Sequence, residues 1–379
     1  VTPTPAQASA IAAIVDWHKA IEHGGPREFY LAGYAGTGKS TTANEALEVL
    51  RDKCGVRCIE TGAFTGKAAH VLRKKGVAGA RTIHSMIYSP QEDAETGEMR
   101  FVLAIDGPAS LADLIVLDEC SMVGEQMADD LRSFGKPILV MGDPGQLPPV
   151  AGAGAFTNRK PDVFLTEIHR QAEGSPILRI ATWARQGKPV PTGDYGDGVE
   201  VRDLTRETQP LVYRQDSQPI CGVHRVRWVY TQRIRQRLGY AGPLPQKGER
   251  IICCKNDHNR GLFNGALGEA MDDAKRMEDS AHVKLSARMD DLPVPIKDIE
   301  VHPYLFAQHF TGPCQRPRFR GAIEFDWGYI LTCHKSQGSE WPHVTVIDDS
   351  ASFREDRAKW LYTAVTRASS GLALLKRAA

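Results

Sequence analysis

Gly33-Tyr34-Ala35-Gly36-Thr37-Gly38-Lys39-Ser40 sets glycines, a lysine and a hydroxyl in eight consecutive positions. Glycines let the backbone curl until successive N–H groups face one point. A helix that starts behind them aims its positive end at the same point. Such a P-loop holds phosphates: Lys39 is placed to reach the β- and γ-phosphates of ATP, and the Ser40 hydroxyl to hold Mg²⁺. Leu114-Ile115-Val116-Leu117-Asp118-Glu119 ends an apolar run in two carboxylates. There Asp118 is expected to bind Mg²⁺ through water and Glu119 to polarise an attacking water. An Asp-Glu pair can also open a helix, and the upstream phosphate loop favours the catalytic reading. Met141-Gly142-Asp143-Pro144-Gly145-Gln146-Leu147-Pro148-Pro149 follows another apolar run. On that stiff loop Gln146 is a neutral group able to contact a γ-phosphate and report its loss.

These groups need a scaffold that brings strand ends together. Thr4-Pro5 predicts a helix start, with Ile11, Ile14, Val15 and Ile21 at helical spacing and Gly24-Gly25 as the stop. Apolar strands are expected at 28–32, 56–61, 114–117 and 137–141, and a helix at about 39–53. The alternation predicts an α/β fold with a mostly parallel sheet and helices on both faces. It restarts near residue 163, with strands expected at 199–204, 219–223, 249–254, 328–332 and 344–347 and helices at 176–186, 225–238 and 355–367. Two stretches break the rhythm. Residues 88–112 carry turn signals and a candidate hairpin arm at 99–105, and residues 270–325 alternate briefly between prolines. Both read as small inserts, the second β-rich.

At 379 residues, two or three domains are expected, and 42% hydrophobic with 25% charged residues is a globular composition. No apolar run approaches the ~20 residues that span a bilayer, and no signal peptide is visible at Val1. The net charge of +1 excludes a globally basic mode of nucleic-acid binding and leaves room for a local basic groove. The eight cysteines are scattered without metal-ligand spacing, which predicts reduced, mostly buried thiols, no zinc site and no disulfide framework.

In order along nearly the whole chain, the motifs resemble superfamily 1 DNA helicases of the 5′→3′ branch, RecD-like and Dda-like. Residues 33–41 resemble motif I, Thr65-Gly66-Lys67-Ala68-Ala69 motif Ia, and Thr82-Ile83-His84 the next DNA-contacting motif. Asp118-Glu119-Cys120-Ser121 is similar to motif II, with Cys120 where Ala is commoner, and 142–149 to motif III. His169-Arg170-Gln171 resembles motif IV, and Asn264-Gly265 with Gly268 a further signature. Leu331-Thr332-Cys333-His334-Lys335-Ser336-Gln337-Gly338-Ser339-Glu340 resembles motif V, and Tyr362-Thr363-Ala364-Val365-Thr366-Arg367 motif VI. Where relatives often carry Thr-Asn, this chain has Gly222-Val223-His224, which puts a DNA contact there in doubt.

The resemblance implies two RecA-like domains, 1–165 and 166–379, with ATP in the cleft between them. It also implies a pin hairpin at about 88–112 and an SH3-like insert at about 270–325. The nucleotide site takes Gly33, Ala35, Gly36, Thr37, Gly38, Lys39, Ser40 and Thr41, with Gln7 reading adenine and Gly338 and Glu340 lining the same cleft. Arg170 and Arg367 become arginine fingers. Thr65, Lys67 and His84 in the first domain, and Asn264, Thr332, His334 and Lys335 in the second, become phosphate contacts to single-stranded DNA. Arg225, Arg227, Arg233, Arg235 and Arg237 make a basic helix, read as solvated or as facing DNA. Trp327 and Trp341 read as core, with base stacking as the alternative. The expected protein is a cytoplasmic, monomeric, bacterial or phage-encoded motor acting on single strands and single/double-strand junctions, with replication or repair proteins as partners. The competing readings are a translocase or regulatory ATPase subunit of a nuclease–helicase complex, an RNA-directed helicase, and a module that keeps nucleotide as a structural ligand.

Overall fold

In a computed structural model, residues 3–92, 99–149, 154–167, 174–257, 260–278, 281–307 and 323–377 are described. The chain divides into two compact units, 1–178 and 179–379.

The first unit opens with α1 (Pro5–Ile21). Thr4 caps it, its side chain accepting from the Gln7 N–H while Gln7 Oε1 accepts from the Thr4 N–H. The elements β1 (Glu28–Gly33), α2 (Lys39–Cys54), β2 (Ile59–Ala63), α3 (Gly66–Lys74), β3 (Arg81–Thr82) and α4 (Ile83–Ile87) follow. After a hairpin and the short α5 (Pro108–Leu111) come β6 (Leu114–Asp118), α6 (Glu125–Ser133), β7 (Ile138–Gly142) and β8 (Val163–Leu165). The hairpin pairs β4 (Tyr88–Glu92) with β5 (Met99–Leu103) antiparallel, Tyr88 opposite Leu103.

The six-stranded sheet has the order β3-β2-β6-β7-β1-β8, with every pairing parallel. Its central strands are apolar at successive positions because both faces are covered. Phe29, Leu31, Leu114, Val116, Leu139 and Met141 pack against α1 and α2. Their alternates Tyr30, Ala32, Ile115, Leu117, Ile138 and Val140 pack with α4, α6 and Phe156. Parallel pairing puts the carboxyl ends of all these strands on one edge, where ligands of open α/β sheets bind.

Expected near residue 165, the division between units falls inside α7 (Pro176–Arg185). The second unit contains β9 (Gly193–Asp194), β10 (Val199–Asp203), β11 (Gln218–Cys221), α8 (His224–Arg237), β18 (Leu331–Thr332), α10 (Cys333–Ser336), β19 (Trp341–Asp348), α11 (Arg357–Val365) and β20 (Ala368–Lys376). Its sheet has the order β18-β11-β19-β20-β10-β9, parallel except for β9. Between β11 and β18 in sequence sits a second, antiparallel sheet of β12 (Arg250–Cys253), β13 (Leu267–Ala270), β14 (Lys275–Arg276), β15 (Val283–Met289), β16 (Ile296–Val301) and β17 (Phe325–Trp327), with α9 (Tyr304–Ala307). The strand expected at 249–254 therefore forms, but in this sheet rather than in the core. The insert accordingly begins about a strand pair upstream of residue 270. Arg-Ile-Ile-Cys has the apolar content of a core strand, and local pattern alone does not reveal its antiparallel partners.

The basic-helix reading needs correction. Arg227 and Arg235 of α8 are buried, Arg227 paired with Asp326 at 2.9 Å and Arg235 with Glu249 at 2.6 Å. They fasten α8 to the insert, while Arg225, Arg233 and Arg237 are exposed. Trp327 is fully buried and its indole N–H donates to the Phe306 carbonyl at 3.1 Å, as the core reading expects.

Candidate nucleotide and nucleic-acid sites

Three neighbouring strand ends of the first sheet carry the phosphate chemistry. At the end of β1, Gly36 and Gly38 have φ of 78° and 77°, the left-handed region that favours glycine. A Cβ on Gly33 would lie 2.6 Å from Thr37 Oγ1 and 2.8 Å from Lys39 Cγ, so this close approach admits only glycine. Gly38 is the N-cap of α2, which begins at Lys39. The Lys39 ammonium donates to the carbonyls of Gly33 at 2.7 Å and Tyr34 at 3.1 Å. It is thus held over the loop whose amides form the cradle. Ser40 and Thr41 are exposed in the first turn of α2, Ala35 lies on the loop, and Thr37 is buried with its hydroxyl donating to the Tyr34 carbonyl at 2.8 Å. The Gln7 amide reaches this loop, Nε2 donating to the Thr37 carbonyl at 3.5 Å.

Asp118 and Glu119 stand at the end of β6. Burial, and next the Glu119 charge, push the Asp118 carboxyl up to about 6; the Glu119 N–H bonded to it and Lys39 oppose the rise. Glu119 has φ 53° and ψ 41°, the left-handed conformation that few non-glycine residues adopt. The kink ends the strand at Asp118. At the end of β7, Asp143 accepts from the Gly145 N–H at 2.9 Å and shapes the following loop. There Gln146 is buried, and its Oε1 has no hydrogen-bond partner among the described residues. A buried amide oxygen without a partner costs about 1–3 kcal/mol, which a ligand-bound water or hydroxyl would recover.

The other half of the same edge carries threonine-capped helices. Thr65, beyond β2, accepts from the Ala68 N–H at 3.1 Å and caps α3, which holds Lys67. Thr82, ending β3, accepts from the Ser85 N–H and caps α4, which holds His84. The His84 ring packs against Tyr88 and Phe101 of the hairpin, with centroids at 4.8 and 4.5 Å. The hairpin root is tied to α6 by the Tyr88 hydroxyl donating to Asp130, a bond that no motif announced. Burial, then Asp130, push the Tyr88 phenol up to about 12, so it stays a donor at working pH.

In the second unit the expected residues form two groups. Thr332 ends β18 and caps α10, accepting from the Lys335 N–H at 3.4 Å. The Lys335 ammonium donates to Asn264 Oδ1, so these two, far apart in sequence, converge. His334 packs near Phe353, and burial lowers its imidazole below the ordinary value, with Asp356 opposing. The second group lies at the amino ends of β19 and β20. Arg367 is buried and donates to the carbonyls of Ser339 and Thr363, both at 3.1 Å, and to Thr366 Oγ1 at 3.3 Å. Gly338, φ 71°, and the exposed Glu340 flank Ser339. Arg170 lies outside the described residues.

Seven cysteines are described as free thiols, and four of them, Cys120, Cys221, Cys253 and Cys333, are buried. Among the described residues no helix is long and apolar enough to cross a membrane.

Residues 4–203 match the family model described as AAA domain, and residues 328–375 match the UvrD-like helicase C-terminal domain. The first match covers more than half of the chain, and the chain belongs to this AAA domain family. It is 29% identical over 370 residues to the ATP-dependent RecD2 DNA helicase of Deinococcus radiodurans, covering 91% of this chain and 46% of the relative. It is 26% identical over 384 residues to a probable conjugal transfer protein TraA of Sinorhizobium fredii, covering 92% of this chain and 31% of that protein. The chain thus spans about half, or less, of these curated relatives. The Pif1 helicase of Candida albicans has a similar fold, with TM-score 0.56, 18% identity, and coverage of 99% of this chain and 94% of that one. Bacteroides Pif1 bound to ssDNA gives TM-score 0.55, 20% identity, and coverage of 96% and 91%. Two RecA-like α/β domains are the fold these likenesses share.

Proposed function

We propose that the chain is an ATP-hydrolysing motor that moves along single-stranded DNA, 5′→3′, and separates duplex strands. The observation that carries the reading is the division of one sheet edge. The ends of β1, β7 and β6 hold the phosphate loop, Gln146 and the carboxylates. The ends of β2 and β3 hold Thr65, Lys67, Thr82 and His84. Gln146, beyond the end of β7, is then two strand spacings, about 10 Å, from the end of β2 where the nucleic-acid contacts begin.

The residues take the following roles. Gly33, Ala35, Gly36, Thr37, Gly38, Lys39, Ser40 and Thr41 bind the phosphates, and Gln7 reads adenine. Glu119 orients and deprotonates the attacking water, and Gln146 senses the γ-phosphate. The Ser40 hydroxyl and Asp118 carboxylate are the hard oxygen donors that would hold Mg²⁺, and a cation there would favour the charged form of a carboxyl that burial pushes up. Held there, Mg²⁺ would neutralise phosphate charge. Arg367, with Arg170, stabilises charge in the transition state, and Gly338 and Glu340 support the nucleotide. Thr65, Lys67 and His84, with Asn264, Thr332, His334 and Lys335, grip the sugar–phosphate backbone. The hairpin is the pin and the antiparallel insert an SH3-like domain; DNA repair, recombination, replication restart and phage replication are all processes that such a motor serves.

The test is ATP hydrolysis with and without single-stranded DNA, together with unwinding of duplexes carrying a 5′ or a 3′ tail. Absence of DNA stimulation overturns the motor, and unwinding from a 3′ tail alone overturns the polarity. Lys39→Ala is expected to lower hydrolysis by about 10²–10³-fold or more, the effect of removing a charged donor from developing charge, with the melting temperature unchanged. Wild-type hydrolysis by that variant removes the phosphate loop from the mechanism. Tyr88→Phe is expected to reduce unwinding severalfold while DNA-stimulated hydrolysis stays at the wild-type rate, because it loosens the hairpin root alone. Equal loss of both activities assigns Tyr88 to the stability of the first unit instead.

A further inference from the structure

The second unit has a cleft of about 510 Å³ that no motif describes, lined by Leu204, Thr205, Arg206, Gln209, Arg225, Val226, Val229, Tyr230, Arg233 and Arg377. Its four arginines come from three places: the segment after β10, α8, and the residue after β20. Arg377 pairs with Asp349, whose carboxylate also accepts from the amides of Gly222 at 2.9 Å and Val223 at 3.4 Å. The Arg233 guanidinium lies 5.4 Å from the centre of the Tyr230 ring. Arg206 and Arg225 are exposed, and neither has an ion pair among the described residues. Four guanidiniums around one cleft repel one another, and Asp349 is already engaged on the protein side. An anion of more than one charge balances them. Guanidinium forks fit phosphate oxygens in paired hydrogen bonds.

Position in the sheet selects the source of the phosphate. β10 and β20 are parallel to β11 and β18, so Arg377 and the start of the 204–209 segment stand on the same edge as Thr332. Cys221 of β11 is in register with Thr332 of β18, and α8 begins three residues later. Arg225, in the first turn of α8, therefore follows the strand end that lies beside Thr332 on that edge. Val229, 39% exposed, adds an apolar strip of the kind that sugar and base faces cover. The sequence concealed this site because Arg206 and Arg377 belong to no motif, and Arg225 read as one of five equivalent charges on a helix.

We propose that Arg206, Arg225, Arg233 and Arg377 bind the phosphodiester backbone of the single strand beyond the Thr332 contact, extending the track across the second sheet. The proposal rests on the motor reading above. The chemistry is shared with free polyphosphates, and the experiment separates the two. Affinity of the whole chain for oligo(dT) is measured against salt for wild type, Arg206→Gln/Arg225→Gln, and Arg206→Lys/Arg225→Lys. Thermal stabilisation by inorganic tripolyphosphate is measured on the same proteins.

Each phosphate neutralised on a single strand contributes about 0.7 to the log–log salt slope, so loss of two contacts flattens it by about 1.4. Binding also weakens alike for every sequence. The lysine pair is expected to keep the wild-type slope, and tripolyphosphate to stabilise all three proteins equally through the phosphate loop. Arg225→Gln alone, expected to flatten the slope by about 0.7, keeps the measurement interpretable should the double variant not fold. Wild-type slope in the glutamine variants overturns the proposal. So does loss of tripolyphosphate stabilisation at an unchanged slope, which makes the cleft a free-polyphosphate site. A wild-type chain that binds no oligo(dT) overturns the motor reading and this strand assignment together.

Discussion

Replacing Arg367 by alanine is expected to lower DNA-stimulated ATP hydrolysis by about 10³–10⁵-fold, the worth of an arginine finger, with nucleotide binding nearly unchanged. The local bonding of Arg367 suits such a role. Of the five guanidinium N–H groups, three are spent on the Ser339 and Thr363 carbonyls and on Thr366 Oγ1, which locks a buried side chain in one orientation. Two donors remain for a phosphate oxygen, and no side-chain entropy is left to lose when they engage. A group that acts only on transition-state charge lowers kcat and kcat/KM together and leaves the affinity for a non-hydrolysable nucleotide alone. The same bonds complicate the variant, since alanine frees the Ser339 carbonyl between Gly338 and Glu340. The experiment therefore pairs Arg367→Ala with Arg367→Lys. Lysine keeps the charge but cannot hold two carbonyls and present a fork. If both variants hydrolyse within tenfold of wild type, Arg367 is a buried strut of the β19–β20 junction and has no catalytic part.

The phosphate machinery was legible because its chemistry is local. A backbone that curls around phosphate is written in eight adjacent residues, and the carboxylates follow a strand that its own apolar run announces. The strands at 28–32, 114–117, 137–141 and 199–204 were legible for the same reason, and each forms within a residue or two of its expected limits. β20 was not seen, although it pairs on both sides in the second sheet. Ala-Ser-Ser-Gly at its start has turn composition and Leu-Ala-Leu-Leu favours helix, so only pairing with β19 and β10 makes it a strand. The left-handed Glu119 left no mark in residue types either, since strain there is imposed by the surrounding fold. Asn264 was placed by a family signature, yet its contact with Lys335 depends on how the insert folds back. What sequence withheld most completely was the set of buried ion pairs, because each joins residues whose charges separately read as surface.

The strongest of those pairs gives the second large effect. Arg235→Met is expected to destabilise the second unit by about 3–5 kcal/mol, the usual cost of leaving a buried charge uncompensated. Glu249 is fully buried and accepts from Arg235 Nε at 2.6 Å and Nη2 at 3.1 Å, from the Gln246 N–H at 2.9 Å and from the Tyr329 hydroxyl at 3.1 Å. Arg235 also donates to the Gly242 carbonyl at 2.9 Å, and its guanidinium lies 3.8 Å from the centre of the Trp327 ring. One side chain thus joins α8, the turn before β12 and the core of the insert. For a unit of this size about 2–4 °C accompanies each kcal/mol, so the transition is expected to fall by about 6–20 °C. Hydrogen exchange should show protection lost in α8 and β12 and retained in β1 and β7, because the two units have separate cores. Arg235→Met with Glu249→Leu removes both charges and is expected to recover part of the loss, as apolar replacements of buried pairs do. Recovery stays incomplete because the Tyr329 hydroxyl and the Gln246 amide lose their acceptor. A single variant as stable as wild type, or a double variant less stable than the single one, contradicts this account of how α8 is held to the insert.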